Sequence, residues 1–294
     1  MEDYSDLNSK PGQASFLPQY FHSPCMYERF LNATNNDVGE IERAINSSGI
    51  KLVDLDEQYS DNLNYFISNK QQLEDEFYSE LSTRIGDKKT NEFCTIIRES
   101  WFDGRTERES KPVKELFASI KNYLLEYGLV TKTDDIRVIN DIDDKIKPSF
   151  DDDEIETIIE LNRQMLDGHI GRWLKGHPND LEMGTGDIYC RRGIFEEKEF
   201  EEGIEYWEWN YINSYSLAFT VTEKFSQMAN KGRVQPAIIN TNIANIRERV
   251  LFFSPFIKGM PPQQFELGVI PHWVTMKISK QGNHGGINEY IVDW

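Results

Sequence analysis

The sequence predicts an α+β protein whose first half is helical and whose second half is rich in strands. Three observations carry this expectation. From about Tyr27 to Tyr127, apolar residues recur at helical intervals. Beyond about Asp187, short runs of Ile, Tyr, Phe, Val and Trp are separated by Gly, Pro and Asn, the texture of strands and turns. Between them lies an acidic stretch, with Asp134, Asp135, Asp141, Asp143 and Asp144 ahead of Pro148 and Asp151 to Glu154 behind it. A domain boundary is expected there. The chain accordingly divides into a flexible arm at 1–24, a helical domain of unassigned role at 25–147, and a second domain at 148–294.

Each element has its own signal. Residues 1–24 contain Pro11, Gly12, Pro18 and Pro24 and show no period. Over Asn62 to Leu81, the residues Leu63, Phe66, Leu73, Phe77 and Leu81 fall on one helical stripe. A second stripe runs through Val113, Leu116, Phe117, Ile120, Tyr123 and Leu124, with Gly128 as its expected C-cap. From Asp153, the spacing of Ile155, Ile158, Ile159, Leu161 and Met165 predicts another helix. The expected strands lie in DIYCRRGIF, IEYWEWNYI, PAIINTNI, RVLFFSPF, FELGVIPHWVTMKI and EYIVDW. A short helix, TVTEKFSQMANKG, is expected among them and closes at Gly232.

Composition narrows the function classes. The 294 residues carry 50 acidic and 32 basic side chains, a net charge of −18, which opposes binding to nucleic-acid phosphates and to anionic membrane surfaces. An apolar share of 38%, with 12% aromatic, suffices for a core. No apolar run reaches the roughly 20 residues of a membrane span. The opening MEDYSDLNSK lacks the apolar region of a signal peptide. Cys25, Cys94 and Cys190 lie far apart without a CxxC pair, the pattern of free thiols in a reducing compartment or of thiols spared by chance. The triplets at Asn32 and Asn46 would matter only in a secreted protein. A cytoplasmic setting is expected, reached in one reading by delivery into a host cell as an effector.

Three segments of the second half follow an informative order. Ile188-Tyr189-Cys190-Arg191-Arg192-Gly193 sets arginines on a strand. Asn213-Ser214-Tyr215-Ser216 follows the aromatic run Tyr206, Trp207, Trp209, Tyr211 and precedes a helix. Ser254-Pro255-Phe256 leads to Gln264-Phe265-Glu266 and then Val269-Ile270-Pro271. Together, over roughly Asp151 to Trp294, they resemble the mono-ADP-ribosyltransferases of the arginine–serine–glutamate type. That family shows a strand ending Tyr-Arg-Gly, a Ser-Thr-Ser strand, and a Glu/Gln-x-Glu turn running into a strand with a later Pro. The spacers FEEKEFEEG and FSPF match the family's connections as well.

The resemblance implies an ADP-ribosyltransferase-like split β-sandwich with flanking helices, and transfer of ADP-ribose from NAD+, as co-substrate, to a macromolecular acceptor. Breaking the ribose–nicotinamide bond develops an oxocarbenium-like sugar, which a nearby carboxylate stabilises. Glu266 takes that role by resemblance. An arginine grips the pyrophosphate through its planar fork. Here Arg191 and Arg192 are adjacent, and neighbouring strand residues face opposite ways. Arg192 is preferred because it directly precedes Gly193, and Arg191 replaces it if the register is shifted. Ser214 and Ser216 match the two family serines, the first expected to bond the glutamate, with Tyr215 in place of threonine. Gln264 stands where arginine-directed members carry glutamate, so a protein acceptor other than arginine is expected. Phe265 either presents the acceptor or belongs to the core.

Other chemistries lack support in the sequence. His22, His169, His177, His272 and His284 show no metal-ligand spacing, and no metal is expected. Gly184-Thr185-Gly186 precedes a strand instead of opening a helix, so it is no dinucleotide fingerprint. Two alternatives stand beside the transferase: an NAD+ glycohydrolase using the same site, and an inactive transferase-like binding module. The helical domain could select the acceptor, inhibit the site or dock a partner, and its acidic surface suits a basic one.

Overall fold

The computed structural model describes residues 61–102, 110–127, 142–176, 189–196, 205–206, 211–218, 221–222, 225–226, 235–271, 276–284 and 286–293. The arm at 1–24, the start of the helical region to residue 60, Gly128, the acidic run 134–141 and Gly232 lie outside them.

The stripe expected over Asn62 to Leu81 forms two helices, α1 (Asp61–Ser68) and α2 (Lys70–Ile85). They part at Asn69, whose side-chain amide donates to the Tyr65 carbonyl at 2.8 Å and so competes with regular helical backbone. Leu73, Phe77 and Leu81 form the fully buried face of α2. Gly86 ends it with φ +85°, a backbone conformation costly to residues with a Cβ. Next come α3 (Asp87–Thr95) and a π-helical turn, Ile96–Phe102. Helix α4 (Lys111–Glu126) buries Val113, Leu116, Ile120, Tyr123 and Leu124. Helix α5 (Asp152–Gly176) starts on a reciprocal cap: the Glu154 N–H donates to the Asp151 carboxylate at 2.9 Å, and the Asp151 N–H to Glu154 at 3.0 Å. The acidic residues after Pro148 thus serve as a helix start.

Among the described residues, eight strands form one mixed sheet: β1 (Tyr189–Glu196), β2 (Glu205–Tyr206), β3 (Asn213–Ser216), β4 (Gln235–Asn242), β5 (Val250–Phe253), β6 (Glu266–Val269), β7 (Met276–His284) and β8 (Ile287–Asp293). Their order is β2-β7-β8-β4-β1-β3-β6-β5, with β4 and β8 parallel. The sheet has two lobes. Strands β1 and β4 pair along their whole length, whereas β1 meets β3 through Arg191 opposite Ser216. Strands β3, β6 and β5 thus form a smaller lobe joined to the rest of the sheet by that one register pair.

The helices pack on that smaller lobe. One continuous core joins Leu73, Phe77, Trp101 and Leu116 from the first half to Tyr215, Phe253, Phe265 and Leu267 from the second. Residues on either side of the expected 147/148 boundary share it. Asn162 of α5, fully buried, donates to the Leu251 carbonyl at 2.8 Å and ties that helix to β5. The larger lobe has its own cluster, Ala237, Ile239, Ile278, Tyr290 and Val292, against which Ile194 packs. Among the described residues no helix is long and apolar enough to cross a membrane.

Candidate active site

Sheet register decides which side chains meet. Residues opposed on neighbouring antiparallel strands point to the same face. Asn240 of β4 opposes Arg191 of β1, Arg191 opposes Ser216 of β3, and Ser216 opposes Glu266 of β6. Four polar residues from four strands thus form one cross-sheet row. Ser214 lies on the same face, opposite Gly268. Its hydroxyl donates to Glu266 Oε1 at 2.7 Å.

The adjacent row holds Ile239, Arg192, Tyr215 and Leu267 on the other face. The Arg192 guanidinium lies 6.0 Å from the centre of the Tyr215 ring, and Arg192 Nη1 donates to Asn213 Oδ1. Of the two arginines expected for this site, Arg191 shares the face of Ser214, Ser216 and Glu266, and Arg192 lies on the other face. The reason is the two-residue period of a strand, which adjacency to Gly193 cannot override. Tyr215, buried at 2% exposure, likewise faces away from Glu266. Arg191 is itself 1% exposed, and its Nη1 lies 3.4 Å from the Leu217 carbonyl.

Glu266 is held from several directions. Its backbone N–H donates to the Ser254 hydroxyl at 2.9 Å, and Ser254 is fully buried. Ser216 donates to the Gln264 carbonyl at 2.6 Å and accepts from the Ala218 N–H at 3.0 Å. The Gln264-Phe265-Glu266 turn is thereby pinned to β3. Within it Phe265 takes φ 42°, an unusual conformation for a residue with a side chain, and is fully buried. Of its two expected roles, Phe265 takes the core one. Gln264 closes a short 3-10 turn, Pro262–Gln264, and is half-buried.

Four residues beside this face escaped the sequence. Ser254 lies within FSPF, where the approach to the turn was noted without a role. Asn240 and Glu289, both buried, extend the polar face: the Asn240 amide donates to Glu289 Oε1 at 2.9 Å. A polar residue on a buried strand face was the available signal. Trp101 comes from the π-helical turn, and its indole N–H donates to Glu266 Oε1 at 3.1 Å. No local pattern marks that contact, which joins residues 165 positions apart.

Of the aromatic run, Tyr211 is buried and stacks on Phe117 at 5.1 Å, while Trp207 and Trp209 lie outside the described residues. His169 is buried beside Tyr65 and Glu76, away from this face, and the Gly184-Thr185-Gly186 segment lies outside. Among the described residues no group of three His, Cys, Asp or Glu side chains could hold a metal ion.

No protein-family profile and no curated protein matches the chain. Solved structures show a remote likeness. A crystal structure of the ADP-ribosyltransferase Vis in complex with agmatine is 13% identical at a TM-score of 0.38, covering 80% of this chain and 86% of that one. Vis in complex with an inhibitor named M6 is 14% identical at 0.30, with 64% and 85% covered. The Vis toxin of Vibrio splendidus is 13% identical at 0.28, over 64% and 85%.

Proposed function

We propose that the protein transfers ADP-ribose from NAD+ to a protein acceptor other than arginine and releases nicotinamide. The observation that carries this reading is the cross-strand row: Arg191, Ser216 and Glu266 oppose one another on three neighbouring strands, with Ser214 bonded to Glu266. A guanidinium, two hydroxyls and a carboxylate on one sheet face suit a substrate with a pyrophosphate at one point and a ribose at another.

The chemistry follows from the substrate. The bond between ribose C1′ and the nicotinamide nitrogen breaks, and its electron pair leaves with nicotinamide, cancelling the ring's positive charge. Positive charge builds on the ribose, and Glu266 stabilises it while holding a ribose hydroxyl. The acceptor then bonds to C1′ and loses its proton. Arg191 holds the pyrophosphate, Ser214 orients Glu266, and Ser216 fixes the turn that carries it. The Gln264 side chain is neutral and acts as a hydrogen-bond partner for the acceptor, where a carboxylate would instead hold a guanidinium. The net charge of −18 disfavours a nucleic-acid acceptor.

The test uses NAD+ labelled in its adenylate half. Label on a protein together with nicotinamide release supports transfer. Nicotinamide release with label only in free ADP-ribose moves the reading to a glycohydrolase with water as acceptor. No consumption of NAD+ moves it to a binding module. Glu266→Gln, similar in size but uncharged, is expected to lower NAD+ turnover by at least about a hundredfold with the fold intact. Parental turnover in that variant refutes the role of Glu266.

A further inference from the structure

We infer that Trp101 is a positioning residue for Glu266: the helical half of the chain, through one indole N–H, helps set the carboxylate on which transfer depends. This deepens the transferase reading and rests on it.

The contact is direct. Trp101 Nε1 donates to Glu266 Oε1 at 3.1 Å, and Ser214 donates to the same oxygen at 2.7 Å. A carboxylate oxygen has two lone-pair sites, so these two donors from opposite halves of the chain occupy both. Indole N–H only donates and does not ionise in the working range, so Trp101 takes no proton from the reaction. Its effect is to fix the rotation of the carboxylate.

The surroundings show that the indole is itself held. Trp101 is 4% exposed and meets the Phe117 ring edge-on at 6.1 Å, and Phe117 stacks on Tyr211, just ahead of the Ser214 strand. It sits in a π-helical turn, Ile96–Phe102, a helix form enriched at functional sites. That turn grips the segment leading to Glu266, with Arg98 Nη1 donating to the Lys258 carbonyl at 3.3 Å. The buried Glu74 of α2 accepts from the Gly259 N–H at 3.0 Å, adding a second hold on the same loop. The first half of the chain therefore fixes both the loop before the turn and the carboxylate after it.

A buried indole N–H needs an acceptor whatever its function, so the test must separate positioning from packing. Trp101→Phe keeps an aromatic ring against Phe117 and removes the donor. Ile97→Val removes one methylene from a fully buried neighbour in the same turn and leaves the indole in place. If Trp101 positions the carboxylate, Trp101→Phe lowers kcat for NAD+ consumption by about tenfold with little change in KM, the loss expected for one bond to a charged group. Ile97→Val then keeps the parental kcat. Parental kcat in Trp101→Phe, or an equal loss in Ile97→Val, overturns the inference and leaves the transferase reading intact. A parent protein that consumes no NAD+ overturns both. A readout independent of turnover is a double-mutant cycle in urea unfolding of Trp101→Phe and Glu266→Ala, which removes the accepting oxygen. Non-additive losses support the contact, and additive losses overturn it.

Discussion

Replacing Gly193 by alanine tests why a glycine follows the paired arginines. A Cβ built at Gly193 would lie 2.4 Å from the Thr222 carbonyl oxygen, 2.9 Å from the Ser226 nitrogen and 3.2 Å from the Phe225 Cβ. The two shortest contacts are backbone atoms of the helical residues that follow β3 in the chain, which cannot swing aside as a side chain can. Carbon and oxygen rest at about 3.3 Å, so strand and helix must part by roughly 0.9 Å. Overpacking of this kind costs about 1–3 kcal/mol, and a backbone obstacle places the loss near about 3 kcal/mol. The same displacement moves Arg191, two residues earlier on the same face, so NAD+ turnover falls as well. Urea unfolding of Gly193→Ala reads the stability term. Gly168→Ala in the same assay is a control of opposite sign: nothing lies within 4 Å of its added Cβ, and alanine in a helix interior gains about 0.5–1 kcal/mol. A loss below about 1 kcal/mol in Gly193→Ala refutes the close approach and leaves the glycine without a packing reason.

Two further outcomes are expected. Arg191→Lys, which keeps the charge and loses the fork, raises KM for NAD+ by about tenfold, whereas Arg192→Lys changes it by about twofold or less. The reverse pattern returns the pyrophosphate role to Arg192. Burial pushes the Cys94 thiol up from its ordinary 9.0 to about 12. The folded state therefore keeps a proton that the unfolded state loses, so this contribution is whole below pH 9 and vanishes as pH rises through about 12. The parent should lose up to about 1.4 kcal/mol of stability per pH unit more than Cys94→Ala in that window. Equal slopes in urea unfolding would defeat the burial argument.

Much of the architecture is legible in the chain because it rests on local periodicity. Leu73, Phe77 and Leu81 mark a helix face at intervals of four, and the Val/Ile/Phe runs from Val250 to Phe253 and in β8 mark buried strands. The order of Arg, Ser and Glu segments, and the chemistry each side chain offers, are likewise properties of sequence. So is the alternation that turns Tyr215 away from its flanking serines, since it follows from strand geometry alone. Facing of the arginine pair is different. Two adjacent strand residues are equivalent until a register is chosen, and that choice belongs to the pairing of Arg191 with Ser216, a contact with another strand. The acidic run at Asp151 to Asp153 is legible as a helix start, but its reciprocal bonding with Glu154 is not, because charge composition does not reveal hydrogen-bond partners. Most removed from the sequence is the partnership of Trp101 and Glu266. Periodicity fixes that a helical segment surrounds Trp101, but only the packing of that segment on the smaller lobe brings its indole to the carboxylate. Side-chain type and spacing are written along the chain, while meetings between distant residues depend on how whole elements bury their apolar faces against one another.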